Sequence, residues 1–165
     1  LTAIGGSGGG GGGQAPLLWV LPNAHKTTQA TGVTALKASA SCQLLLTGGK
    51  GGEGRVWDLR TCELIKSFLF HSAPITDVSF LNDEAHVLLA SEDRCFSLWE
   101  LSTGNCIDSW RLSAAIRAMD LNSVGTTTVA TATADRKLQL WNLGVKGRVG
   151  GDRIGAVSGL AGGRG

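Results

Sequence analysis

Three histidines and four cysteines are the side chains with which this 165-residue chain could most readily bind a metal or move a proton. His86 follows Asp83 and Glu84, and an imidazole beside two carboxylates is a possible cation site or proton relay. All three residues fall in a short polar stretch just before the apolar run VLLA, which reads as a solvated turn. Cys42, Cys62, Cys95 and Cys106 form no C-x-x-C pair, so neither a zinc knuckle nor a dithiol redox motif is spelled out. Their even number is compatible with disulfides, but a chain of this size with so few cysteines reads more simply as one with reduced, structural thiols. Gly49-Lys50-Gly51-Gly52 has the look of a phosphate cradle. It lies between two strand-like runs with no helix behind its amides, which makes it a hairpin turn. H-E-x-x-H, G-x-S-x-G and G-x-x-x-x-G-K-[ST] do not occur. The expectation is a non-catalytic protein with no cofactor and no metal.

Charge narrows the partners. Fifteen basic residues against thirteen acidic ones leave a formal charge of +2, too small to neutralise a phosphate backbone, so nucleic acid is not an expected partner. Arg148, Arg153 and Arg164 among glycines are a thin RG-type signal that does not change this. No apolar run reaches the roughly 18 residues needed to cross a bilayer. The opening LTAIGGSGGG lacks the basic start and apolar centre of a secretory signal, although the chain begins without Met. A cytoplasmic protein with no membrane partner is expected.

The elements that must position these residues are set by a repeat. Trp57, Trp99 and Trp141 lie 42 residues apart, in the matching frames GRVWDL, FSLWEL and LQLWNL. Ahead of each comes a pair of apolar, β-branched runs: VTALKAS with LLLTGG, ITDVSF with VLLASE, and IRAMDL with TVATATA. CELIKSF and CIDSWRL follow the first two. Runs this short, divided by turn residues and lacking helical periodicity, are strands. Four strands per repeat of about 42 residues is the arithmetic of a β-propeller blade, and the fold class is therefore all-β.

The Trp57-Asp58 pair, with Trp99-Glu100 and Trp141-Asn142 as variants, resembles the WD40 repeat family over residues 33 to 143. In that family a His, a Ser or Thr, an Asp and a Trp form a hydrogen-bonded network inside the blade. The resemblance assigns these roles to His71, Ser91, Asp93 and Trp99 in the second repeat. In the third, Thr133, Asp135 and Trp141 match, but the His frame falls on Leu112-Ser113. In the first, the Asp and Ser frames fall on Gly51 and Gly49, leaving Trp57 with His25 as a distant partner. The first and third blades are accordingly expected to be less rigid than the second.

The resulting organisation is the end of a preceding blade over 1–28 with a glycine-rich loop at 5–13, blades over 29–68, 69–112 and 113–147, and a flexible glycine-rich tail over 148–165. LTAI and LLWVL, with Trp19, would be strands of the preceding blade; GVKGRVGG is a poor outer strand for the last one. About three and a half blades make a partial ring, whose bare faces call for further blades from the same longer chain or another chain. The resemblance implies a scaffold that binds proteins of a multi-subunit assembly in the cytoplasm; the style of the chain, repeats with glycine-rich insertions, resembles that of large multi-blade proteins of the cytoskeleton or cilium. In the family, residues at the start of each innermost strand form the rim of one face; here these are Thr34, Thr76, Arg117 and Pro74. A second reading is a substrate-recruiting adaptor of a ubiquitin ligase, from the W-D-x-R form of Trp57-Asp58-Leu59-Arg60, with Gly51 where that motif carries an acid.

Overall fold

The computed structural model describes residue 17 and residues 20–26, 30–122 and 127–143. Eleven strands and no helix are found among them. The first sheet comprises β1 (Val33–Ala38), β2 (Leu44–Gly49), β3 (Glu53–Asp58) and β4 (Leu64–Leu69). The second comprises β5 (Ile75–Phe80), β6 (His86–Ser91), β7 (Cys95–Glu100) and β8 (Cys106–Arg111). The third has β9 (Ile116–Asn122), β10 (Thr128–Thr133) and β11 (Leu138–Asn142). In each sheet consecutive strands pair antiparallel, giving a meander, so this is an all-β partial propeller. The segment GVKGRVGG, read above as a poor outer strand for the third blade, lies outside the described residues. So do LTAI, the glycine-rich loop, Trp19 and the tail.

The 42-residue register is written into the turns. Cys42 and Glu84 adopt left-handed backbone between the first and second strands of their blades, with φ of 56° and 50°. Gly52, Arg94 and Arg136 do so in the turn after the second strand, at 87°, 75° and 64°. Cys62 and Gly104 follow suit after the third, at 59° and 77°. A single left-handed residue closes each of these tight turns, and only glycine accepts it without steric cost. The fold therefore fixes the conformation while leaving the residue type open.

Burial explains the run VLLA. Val87 and Leu89 face the first blade, in a core with Leu46, Val56, Phe68, Ile75, Val78 and Trp99. Leu88 and Ala90 face the third blade, with Phe96, Leu98, Leu112, Ile116 and Val129. Successive strand residues point to opposite faces, so a strand covered on both sides must be continuously apolar. The outermost blades lack that cover. Leu138 and Leu140 stand one repeat after Phe96 and Leu98, yet are 74% and 59% exposed where the earlier pair are 0% and 4%. Leu36 is similarly bare, on the opposite flank.

Glycine sets how closely the first two blades approach. A Cβ on Gly54 would lie 2.7 Å from Leu89 Cδ1, and one on Gly48 would lie 2.8 Å from Ile75 Cβ. Both neighbours are fully buried and cannot swing aside. Gly54→Ala and Gly48→Ala are therefore each expected to lower stability by about 1–3 kcal/mol through overpacking. Gly32→Ala meets no atom within 4 Å, so its effect would come from backbone strain at φ 125° alone. Chemical denaturation of the three variants checks this; a Gly54→Ala protein as stable as wild type would contradict the packing.

Candidate functional site

The polar chemistry of the second blade converges on Ser97, in the middle of β7. Trp99 Nε1 donates to Ser97 Oγ at 2.8 Å, and Ser97 Oγ lies 2.8 Å from His71 Nε2. The other ring nitrogen, Nδ1, is 2.9 Å from Asp93 Oδ2. Burial lowers the His71 pKa against the opposing pull of Asp93. The neutral ring then donates from Nδ1 to the carboxylate and accepts the hydroxyl proton at Nε2, so the chain of donors runs Trp99, Ser97, His71, Asp93. Asp93 also accepts from the Ser72 and Cys95 amides, at 3.1 and 2.9 Å.

The hydroxyl in this network belongs to Ser97 and not to Ser91, which corrects the sequence assignment. Ser91 Oγ donates instead to the Ala73 and Pro74 carbonyls at 2.9 and 3.0 Å and accepts from the Asp93 amide at 3.2 Å. It ties the turn after β6 to the start of β5. The two serines lie on adjacent strands, and no spacing rule separates them.

The first blade has a complete network, contrary to expectation. Trp57 Nε1 donates to Thr47 Oγ1 at 2.8 Å, His25 Nε2 lies 2.7 Å from that oxygen, and His25 Nδ1 lies 2.9 Å from Glu53 Oε1. The carboxylate has moved from the turn, where Gly51 stands, to the first residue of β3. Its longer side chain fits because position 49 is glycine: a Cβ there would come within 2.7 Å of Glu53 Oε1. His25 is delivered by a turn pinned through Arg55 Nη1, which donates to the Ala24 carbonyl at 2.6 Å. Its pKa is lowered, chiefly by burial.

In the third blade Trp141 Nε1 donates to Thr131 Oγ1 at 2.9 Å, which corrects the assignment of that hydroxyl to Thr133. Ser113 stands one repeat after His71 and donates to Asp135 at 2.9 Å, but it is too short to reach Thr131 as well. Asp135 is held instead by Thr133 and Lys137, at 2.6 and 2.7 Å. Lys137, followed by the two hydroxyls, keeps its carboxyl below the ordinary carboxylate range.

Three of the four residues expected on the rim, Thr34, Thr76 and Arg117, occupy the same place in their sheets. Val33 pairs with Gly49 and Ala35 with Gly48, so Thr34 is an extra, bulged residue; the same interruption falls on Thr76 and Arg117. A bulge re-aims its side chain away from the ladder. Thr34 and Thr76 donate to the Gly48 and Ala90 carbonyls at 3.1 and 3.3 Å. Arg117 reaches back to the second blade and pairs with Glu92 at 2.5 Å. Pro74 is half-buried, its carbonyl engaged by Ser91. Asp77, which the sequence did not single out, accepts from the Met119 amide at 2.8 Å and joins the second blade to the third.

His86 is the first residue of β6, paired with Asp83 at 2.6 Å, while Glu84 accepts from the Ser41 amide and hydroxyl of the first blade. All four cysteines are free thiols. No group of three or more His, Cys, Asp or Glu side chains is arranged to hold a metal ion among the described residues.

Ser97→Ala leaves the Trp99 and His71 nitrogens without a partner in a buried site. It is expected to cost roughly 1–3 kcal/mol, against less than about 0.5 kcal/mol for Ser109→Ala on exposed β8, by thermal denaturation. The histidines also predict a pH dependence. The unfolded chain takes up protons on His25 and His71 near pH 6.5, whereas the folded chain holds both rings neutral to lower pH. The unfolded state thus binds more protons, and stability, fully present above this range, declines as pH falls below about 6.5. Melting temperatures between pH 7.5 and 5.5 should show that decline, and His71→Gln should flatten it.

The model for the WD domain, G-beta repeat, matches residues 17–58 and 62–100. Mitochondrial division protein 1 of Vanderwaltozyma polyspora is 23% identical over 165 residues, covering 76% of this chain and 23% of that protein. Cilia- and flagella-associated protein 52 of Homo sapiens is 29% identical over 87 residues, covering 52% of this chain and 13% of that protein. The chain thus spans less than a quarter of the length of either relative. Among solved structures, the β-propeller domain of Cps50 (Swd1) from Myceliophteria thermophila superimposes with a TM-score of 0.63 at 23% identity, covering 67% of this chain and 35% of that one. Matched repeats, tryptophan networks at a 42-residue interval and this likeness in fold together place the chain in the WD40 repeat family.

Proposed function

We propose that this chain is part of a non-catalytic scaffold for protein–protein interaction within a larger assembly, and that the assembly is ciliary, axonemal or otherwise microtubule-associated. The observation that carries the first part is where the reactive side chains go. His25 and His71 are closed into buried networks with a carboxylate on one nitrogen and a hydroxyl on the other. Neither ring has a nitrogen left to offer a substrate. What the blades present outward is a bulged rim, with Thr34, Thr76 and Arg117 at one place in three successive sheets and Pro74 beside them. Arginine in a mostly neutral setting suits a protein loop better than a phosphate backbone. The ciliary part is supported by the likeness to Cilia- and flagella-associated protein 52.

The adaptor reading draws on Trp57-Asp58-Leu59-Arg60. Asp58 Oδ1 accepts from the Arg60 and Thr61 amides at 2.7 and 2.9 Å, a capped turn that leaves Arg60 exposed. Affinity purification with mass spectrometry separates the two readings: tubulin-associated or axonemal subunits are expected, and ubiquitin-ligase subunits would favour the adaptor. Arg117→Ala combined with Thr76→Ala should reduce recovery of the partners several-fold while stability moves by less than about 0.5 kcal/mol for the exposed arginine. Unchanged recovery would take the rim out of the binding surface. A protein that returns no stoichiometric partner would overturn the scaffold.

A further inference from the structure

We propose that the end of the second blade carries an oxyanion-binding pocket that takes a phosphate or carboxylate group on a segment of a partner protein. The proposal rests on the scaffold reading, and it adds a specific contact beyond the bulged-rim residues. A cavity of about 380 Å3 opens between the turn after β6, the end of β8 and the loop leading to β5; Phe70, Ser72, Asp93, Arg94, Cys95 and Arg111 are among its walls.

The charge in this cavity is uneven. Asp93 is occupied by the network: Oδ2 accepts from His71 Nδ1 and the Ser72 amide, and Oδ1 from the Cys95 amide. Arg94 and Arg111 are exposed, and neither guanidinium belongs to an ion pair among the described residues. Cys95 and Arg111 are direct cross-strand partners, so the Arg111 backbone is fixed beside the first residue of β7. Two guanidinium groups border one concave site, Arg94 from the turn after β6 and Arg111 from the end of β8, and arginine holds oxyanions through paired N–H donors. Phe70, 48% exposed and edge-on to His71, adds an apolar wall for the chain that carries the anion.

The first blade shows that the fold does not require either arginine. One repeat earlier, Arg94 corresponds to Gly52 and Arg111 to Leu69, with Glu53 paired to Leu69 as Cys95 is to Arg111. Gly52 and Arg94 share the left-handed conformation, at φ of 87° and 75°. Glycine meets that conformation freely, whereas arginine adopts it at a steric cost. Arg136 takes the same turn position in the third blade at φ 64°. A basic side chain thus stands in two of these turns although the backbone alone favours glycine.

The test measures fluorescence anisotropy of the intact protein with three labelled peptide pools, randomised around a central phosphoserine, glutamate or serine. The phosphoserine or glutamate pool is expected to bind at least tenfold more tightly than the serine pool, with inorganic phosphate competing. Preference for phosphoserine alone identifies a phosphate as the source, and equal binding of the glutamate pool identifies a carboxylate. Arg94→Gly combined with Arg111→Leu, which installs the first blade's residues, should abolish the preference without lowering the melting temperature; Arg111→Leu alone should weaken it. Equal binding of all three pools, or a preference that survives the double variant, overturns the pocket. If the pools fail while affinity purification still returns stoichiometric partners, the pocket is wrong and the scaffold stands.

Discussion

Burial of a four-stranded sheet on both faces is the constraint on which the rest of this structure depends. A single blade has no second layer of its own, so its inner faces become a core only against neighbouring blades. β6 shows the consequence at residue level: Val87 and Leu89 belong to one core, Leu88 and Ala90 to the other. The close contact at Gly48 and Gly54 follows from the same demand, because Ile75 and Leu89 fill the space that side chains there would take. So does the exposure of Leu138 and Leu140 on the flank of the third blade.

The tryptophan networks meet a second demand of that burial. Trp99 packs against Phe68 of the first blade, with ring centroids 5.1 Å apart, and Trp141 against Phe96 of the second at 5.2 Å. Each ring fills the interface with the preceding blade, and its indole N–H must then find an acceptor inside the sheet. Thr47 and Thr131 supply that acceptor from the second strand of their blades, whereas Ser97 supplies it from the third. The change is neutral in geometry because Leu89 and Ser97 are direct cross-strand partners, as are Thr47 and Arg55. Partners across an antiparallel ladder point to the same face, so a hydroxyl on either reaches the same indole.

This freedom explains what could be read from the chain in advance. Strand positions and the repeat were legible because they depend on a periodicity that every blade must keep. The tryptophans were legible for the same reason. Ser97 was not, since a hydroxyl that can sit on either of two strands leaves no fixed spacing, and Ser91 fell in the frame where the family carries one. Glu53 escaped because it moves the acid two residues downstream and depends on the missing side chain of Gly49, which is a contact in space. Thr47 and Thr131 both lie ten residues before their tryptophans, a signal that Leu89 interrupts in the second blade.

Fixed backbone with variable side chains is also how such a fold separates stability from recognition. The bulge at Thr34, Thr76 and Arg117 recurs because each innermost strand must bend at the same point. Threonine closes the bulge by bonding a carbonyl across its own ladder, at Gly48 or Ala90. Arginine cannot make that short-range bond, and its guanidinium instead spans to Glu92 on the adjoining blade. The turn that holds Arg94 follows the same logic, with glycine in one blade and arginine in the next on equivalent backbone. Positions of this kind carry little of the core, so a change of side chain there alters what the surface offers while the blade beneath keeps its register.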